Sequence, residues 1–342
     1  MKALVKYARG PGNVELREVD EPVCADDQVK MEVAFCGICG TDVHVYHDRF
    51  RNFPPVILGH EFSGTIVETG SAVGAFQGGE RVTVFGAMTV ICGHCEYCRQ
   101  GEYMFCPDRR GMGHGVDGAF TRTVVAREEQ LFRLPETVSL EEGAVVEPFV
   151  AAVHAVCERT VLSFGDVVLV SGPGPIGLSC IKLLAAEGIK TLVAGTEDDG
   201  QRLEAARQMG AARVVNVGAE DLMAVVQEET EGRGADVVFE CSGAEASVAN
   251  CMNALRPLGR YTQVGHFGKD ITIPYDLVAF RQFHIAGSVG YTAASWVRAL
   301  RILAQGRVQL ADLVSQVLPL DAWQEGFRAF EEKSALKVLL RP

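Results

Sequence analysis

Four cysteines, Cys92, Cys95, Cys98 and Cys106, stand in a C-x2-C-x2-C-x7-C run. Thiolates at this spacing are ligands for a tetrahedral zinc. Four of them fill every coordination position, so the lobe 92–106 can brace a loop but leaves no place for a substrate. Chemistry therefore needs a second centre. Two stretches upstream offer one: Cys39-Gly40-Thr41-Asp42-Val43-His44 and Gly59-His60-Glu61. Cysteine, histidine and glutamate are all zinc-ligand types, and a catalytic zinc keeps one open position beside three protein ligands. Cys39 and His60 are the expected pair. Glu61 is either a direct ligand or a neighbour of one, and Glu147, in Val146-Glu147-Pro148-Phe149, is a further candidate. His94 lies inside the lobe but is expected at the surface, because four thiols already complete the tetrahedron.

A cofactor cradle follows. Gly172-Pro173-Gly174-Pro175-Ile176-Gly177 fits G-x-G-x-x-G, comes after the apolar run Val167 to Val170, and opens a helical pattern. Glycine lets the backbone approach a pyrophosphate, and free N–H groups at the helix start meet its charge. The second strand should end in an acidic residue about 20 positions on, to accept ribose hydroxyls. Here it ends Thr196-Glu197-Asp198-Asp199, which makes Glu197 the candidate and Asp198 its neighbour. No Arg or Lys stands immediately beside Glu197, and several carboxylates would repel a 2′-phosphate. NAD is therefore expected over NADP. Arg202 joins Gly172, Gly174, Pro175, Ile176, Gly177 and Glu197 in the expected cofactor-binding set.

These groups need two kinds of scaffold. Residues 1–150 read as short strands broken by Gly and Pro, with Val29 to Ala34, Gly64 to Glu68 and Arg81 to Phe85 rich in β-branched residues. From Gly165 the texture becomes alternating strand and helix. Val167 to Val170, Thr191 to Ala194, Arg213 to Asn216, Asp236 to Glu240 and Arg260 to Val264 are apolar runs suited to buried parallel strands. The expected fold is thus α/β: a β-rich unit over 1–150, a doubly wound parallel-sheet unit over 151–286, and a segment 287–342 that packs back on the first. Asp270 to Phe283 is expected at the sheet edge, with Ile271, Ile273, Leu277 and Phe280 as apolar contacts for a second copy.

At 342 residues two domains are the natural expectation. A formal net charge of −12 without a basic stripe argues against nucleic acid. No apolar run approaches the ~18 residues needed to span a bilayer. No signal peptide is read in Met1 to Gly10, and eleven cysteines then point to a reducing, cytoplasmic setting with metal binding rather than disulfides.

Together, Gly37 to His44, Gly59-His60-Glu61, the four-cysteine lobe, Asp117-Gly118-Ala119-Phe120, Glu147-Pro148 and Gly172 to Gly177 resemble the medium-chain zinc alcohol dehydrogenase family, in its sorbitol and threonine dehydrogenase-like branch. The resemblance spans nearly the whole chain. It implies a GroES-like β domain, a Rossmann domain, two zinc ions per chain (one catalytic, one structural), and transfer of a hydride from a secondary alcohol of a small polyol to NAD. It also implies a homodimer or homotetramer. By the same resemblance, Cys39, His60 and Glu61 or Glu147 hold the catalytic zinc and Asp42 orients His60. Thr41 takes the hydroxyl proton and passes it through the cofactor ribose toward His44 and solvent. One departure is Ser288-Val289-Gly290-Tyr291, where sorbitol dehydrogenases tend to carry an Arg-Tyr pair. That puts sorbitol itself in question while leaving other polyols open. The rival readings are an L-threonine 3-dehydrogenase and, in another class, a non-catalytic binding protein built on the zinc lobe.

Overall fold

Short β-branched runs and amphipathic helices assemble, in the computed structural model of residues 1–342, into two compact units: Met1–Glu147 with Thr292–Pro342, and Pro148–Tyr291. The divisions fall at 147/148 and 291/292 rather than at 150/151 and 286/287. The first lies inside the helix Val146–Val153, a place no turn signal marks. The second follows the edge strand His284–Gly287, which completes the sheet before the chain leaves it.

In the first unit a seven-stranded sheet runs in the order Val314–Pro319, Lys337–Arg341, Gln28–Gly37, Glu61–Thr69, Arg81–Val84, Leu131–Arg133, with Thr123–Arg127 also pairing to Gln28–Gly37. The C-terminal strands thus extend a sheet begun by the N-terminal ones. A smaller sheet joins Val14–Glu18, Lys2–Lys6 and Val56–Ile57. The core gathers Met31, Ile38, Phe62, Val82, Trp323 and Val338. Trp296 is fully buried and stacks on Phe132 at 5.1 Å and on Phe85 at 5.9 Å.

In the second unit six parallel strands lie in the order Arg213–Asn216, Lys190–Gly195, Val167–Ser171, Ala235–Glu240, Leu255–Gln263, His284–Gly287. The strand order reverses between Val167–Ser171 and Ala235–Glu240, and ligands of such sheets bind outside the carboxyl ends at that point. The central strands are buried along their length, which is why they read as unbroken apolar runs.

The expected edge at Asp270 to Phe283 needs correcting. That stretch holds a helix, Asp276–Phe280, and Ile271, Ile273 and Leu277 pack on the core instead. The edge strand on that side is His284–Gly287, four residues long and too short to stand out in the sequence.

Candidate metal centre and cofactor cradle

Register positions the metal centre. Gly37 pairs with Glu61 on one side and with Leu339 on the other. The chain then turns at Cys39, which caps the helix Gly40–Tyr46. Asp42, in the first turn, is buried and accepts from the Cys39 N–H at 2.9 Å and the Gly59 N–H at 3.2 Å. One carboxylate therefore ties together the two segments that present Cys39 and His60. Ligand atoms of Cys39, His60 and Glu61 all lie within 4.8 Å of one another. Glu147 stands outside this triplet.

The fit to a metal is visible in what these side chains lack. His60 Nδ1 is buried without a hydrogen bond, a costly state for a polar atom unless something else binds nearby. Nδ1 lies 3.6 Å from Asp42 Oδ1, beyond hydrogen-bond length, because Asp42 is already committed to two backbone N–H groups. Burial alone would lower the His60 pKa, yet the neighbouring charges of Asp42 and Cys39 hold it well above the usual value. A cluster that attracts a proton this way suits a cation, and a thiolate, an imidazole and a carboxylate form a zinc-type donor set.

The sequence reading missed Lys337. It lies in the closing strand, 2% exposed, and its ammonium is ion-paired with Glu61, 1% exposed, while donating to the Ile38 carbonyl at 2.9 Å. Burial would strip its proton, but the charges of Glu61 and Cys39 outweigh that and raise its pKa. A Cβ on Gly37 would collide with Glu61 Oε2 and lie 3.3 Å from Lys337 Cε, so a larger residue there would displace the pair. The available signal was a lysine flanked by Leu336 and Val338 in an otherwise apolar strand, since lysine is almost never fully buried unless paired. Thr41 is half-buried and His44 exposed on the same helix.

The four thiols of Cys92, Cys95, Cys98 and Cys106 also converge within 4.8 Å. Backbone N–H groups point at the sulfurs: Cys92 to Cys106 at 3.3 Å, Cys95 to Cys92 at 3.3 Å, and Cys98 to Cys95 at 3.4 Å. Such bonds, from His94 and Cys95 first, bring the Cys92 thiol down to about 6. This suits a closed tetrathiolate site. His94 is exposed, and its ring engages the Cys92 carbonyl at 2.8 Å.

The cradle lies in the second unit. Gly172 has φ +96°, and a Cβ there would come within 2.6 Å of the Ser242 N. A Cβ on Gly177 would clash with the Gly172 carbonyl, whereas one on Gly174 would meet nothing within 4 Å. The outer two glycines close the strand–helix joint and the middle one leaves space, as a pyrophosphate needs. Pro175 opens the helix Pro175–Ala186, with Ile176 half-buried behind it. Glu197 and Asp198 are exposed past the end of Lys190–Gly195. Asp199, by contrast, is buried, accepts from the Thr196 N–H at 3.0 Å and hydroxyl at 2.8 Å, and lies 3.9 Å from the buried Arg202.

Glu240 was also missed as a site residue. It is fully buried at the carboxyl end of Ala235–Glu240. It accepts from Ser242 N (3.0 Å), Gly243 N (3.1 Å), Ser247 Oγ (2.8 Å) and Gln263 Nε2 (2.7 Å). It thereby fixes the loop that faces Gly172.

A GroES-like sheet carrying a Cys-His-Glu centre and a four-thiol lobe, joined in one chain to a six-stranded dinucleotide-binding sheet, defines a zinc-binding dehydrogenase. Residues 25–136 match the family model for the alcohol dehydrogenase GroES-like domain, and residues 175–305 that for zinc-binding dehydrogenase. The chain is 38% identical to a sorbitol dehydrogenase of Halalkalibacterium halodurans, over 100% of this chain and 99% of that one. It is 35% identical to a D-arabitol-phosphate dehydrogenase of Enterococcus avium, over 99% and 97%. A zinc-binding dehydrogenase from Sinorhizobium meliloti, solved with NADP, superposes with a TM-score of 0.91 at 30% identity, covering 100% of this chain and 99% of that one. The chain belongs to the zinc-binding alcohol dehydrogenase family, and it is a zinc-dependent dehydrogenase that works with a nicotinamide dinucleotide.

Proposed function

We propose that the protein oxidises a secondary alcohol of a small polyol to a ketone, with NAD as the hydride acceptor. The observation that carries this is the convergence of Cys39, His60 and Glu61 in a chain that also holds a dinucleotide turn. The relatives named for sorbitol and arabitol phosphate point to the substrate class.

Zinc held by Cys39, His60 and Glu61 supplies Lewis acidity toward a substrate hydroxyl, and the dinucleotide supplies the hydride acceptor. The chain's own residues do the rest. Asp42 fixes the Cys39 and Gly59 backbone, so thiolate and imidazole meet at constant spacing. Lys337 balances the Glu61 carboxylate when it is not engaged elsewhere, and Glu147, outside the triplet but near enough to Lys337 to raise its pKa, adds to the same charge balance. Thr41 takes the proton the alcohol gives up, and His44, exposed one turn along the same helix, returns it to water. Gly172, Gly174 and Gly177 admit the pyrophosphate, while Glu197 accepts ribose hydroxyls. Glu197 and Asp198 repel a 2′-phosphate, and Arg202 is held beside Asp199, which favours NAD.

The working protein is a homodimer or homotetramer, joined through the exposed edge His284–Gly287, where Ile285 is 46% and nearby Phe280 82% exposed. All eleven cysteines are free, which favours the cytoplasm. No helix is long and apolar enough to cross a membrane. The test is NADH formation from NAD with sorbitol, xylitol, a butanediol, L-threonine and a simple secondary alcohol, together with a zinc count. Turnover of a polyol, abolished by a chelator, at two zinc ions per chain is the expected result. L-Threonine as the best substrate, or a single zinc and no turnover, refutes the reading.

A further inference from the structure

A patch of positive charge lies beside the metal triplet in a chain whose net charge is −12. Two segments build it, 49–53 and 109–114, linked by a hydrogen bond from the Phe53 N–H to the His114 carbonyl at 2.9 Å. The Phe53 ring carries two guanidinium groups, Arg110 at 4.3 Å and Arg51 at 4.9 Å from its centroid. An aromatic face holds an arginine by cation–π attraction without neutralising it, so the charge stays available to a ligand. Arg109 approaches the same place. A Cβ on Gly111 would lie 3.3 Å from Arg109 Nη1 and 3.1 Å from His114 Nε2.

The patch is anchored to the metal-binding loop. A Cβ on Gly113 would lie 3.0 Å from the Gly59 carbonyl carbon and oxygen, and Gly59 directly precedes His60. The His114 ring registers the local field. Burial first, then the charges of His60, Arg109 and Arg51, against a smaller opposing pull from Asp42, bring its pKa down to about 3. The ring is therefore neutral at working pH. Phe50 packs edge-on against it at 5.1 Å.

We propose that Arg51 and Arg110, the two guanidinium groups on Phe53, form a subsite for the phosphate of a phosphorylated polyol whose free secondary hydroxyl reaches the Cys39–His60–Glu61 centre. This rests on the polyol reading of that centre. Arginine is the side chain suited to bidentate phosphate recognition, and a dianion answers several cations better than a neutral polyol does. An α-amino acid offers these guanidinium groups a carboxylate of single charge with an ammonium beside it, a weaker partner than a phosphate dianion.

The experiment compares matched pairs with the zinc-loaded protein at saturating NAD: D-glucitol with D-glucitol 6-phosphate, and D-arabitol with D-arabitol 5-phosphate. The phosphate esters are expected to have kcat/KM about 100-fold above the free polyols. That ratio should fall to near unity in the Arg51→Gln/Arg110→Gln double variant, whose altered side chains are exposed and leave the core intact. Calorimetric titration with inorganic phosphate, NAD absent, tests the subsite without turnover. Heat that disappears in the double variant supports it even if no polyol is oxidised, in which case the polyol reading alone fails. A wild-type ratio near one, a ratio preserved in the double variant, preference for L-threonine, or phosphate binding unchanged by the substitutions overturns the inference.

Discussion

Replacing Lys337 with methionine removes the cation from a buried pair while nearly keeping the volume. Lys337 is 2% and Glu61 1% exposed, so almost no water reaches the carboxylate left behind. Breaking a buried ion pair by deleting one partner costs about 3–5 kcal/mol, because the remaining charge is uncompensated. For a unit of ~150–250 residues, about 2–4 °C of melting temperature goes with each kcal/mol. The metal-free first unit should thus melt about 6–20 °C lower. Zinc should restore much of this, since Glu61 then has a metal to answer its charge. The double variant Lys337→Met/Glu61→Gln should also recover stability, because neither member of the pair then carries an unanswered charge. The assay is calorimetric or fluorescence melting of all three proteins with and without zinc. A shift below about 2 °C for Lys337→Met in metal-free protein, or a double variant less stable than the single one, would refute the argument that this pair holds Glu61.

Cys39→Ser should abolish turnover while leaving NAD affinity within about threefold, since the ligand and the cradle lie in different units; parallel loss of NAD binding in a fluorescence titration contradicts it. Cys95→Ser should reduce zinc from two ions per chain to one and lower the melting temperature, because a structural zinc contributes folding energy directly. Unchanged melting would argue against a structural lobe. His114 has a folded pKa of about 3 against an ordinary value of about 6.5, so the unfolded chain takes its proton first. Its contribution to stability is whole above about pH 6.5 and is lost as pH falls toward 3. Metal-free His114→Gln should therefore lose less stability than the wild type over that window, as read by urea unfolding at successive pH values; equal slopes exclude the effect.

Much of this was legible in the sequence because it is local. The C-x2-C-x2-C-x7-C spacing alone brings four thiols to one lobe, whatever the rest of the chain does. The G-x-G-x-x-G turn works through glycines whose neighbours are a few residues away, and the parallel strands announce themselves because both faces are buried. Cys39 with His60-Glu61 is an intermediate case. The ligand types were readable, but their convergence depends on Asp42 bridging two segments. Glu147, equally acidic, falls outside the triplet for reasons no spacing could state. Lys337 and Glu61 are separated by most of the chain and meet only because the last strand pairs with Gln28–Gly37. The meeting of Arg51 and Arg110 on the Phe53 ring likewise requires two loops to lie together. Sequence determined which chemistry the chain can perform, since ligand type and local turn geometry are set by near neighbours. Tertiary structure decided which charges face one another, because electrostatic partners are chosen by distance in space and desolvation, and neither is written in the order of residues.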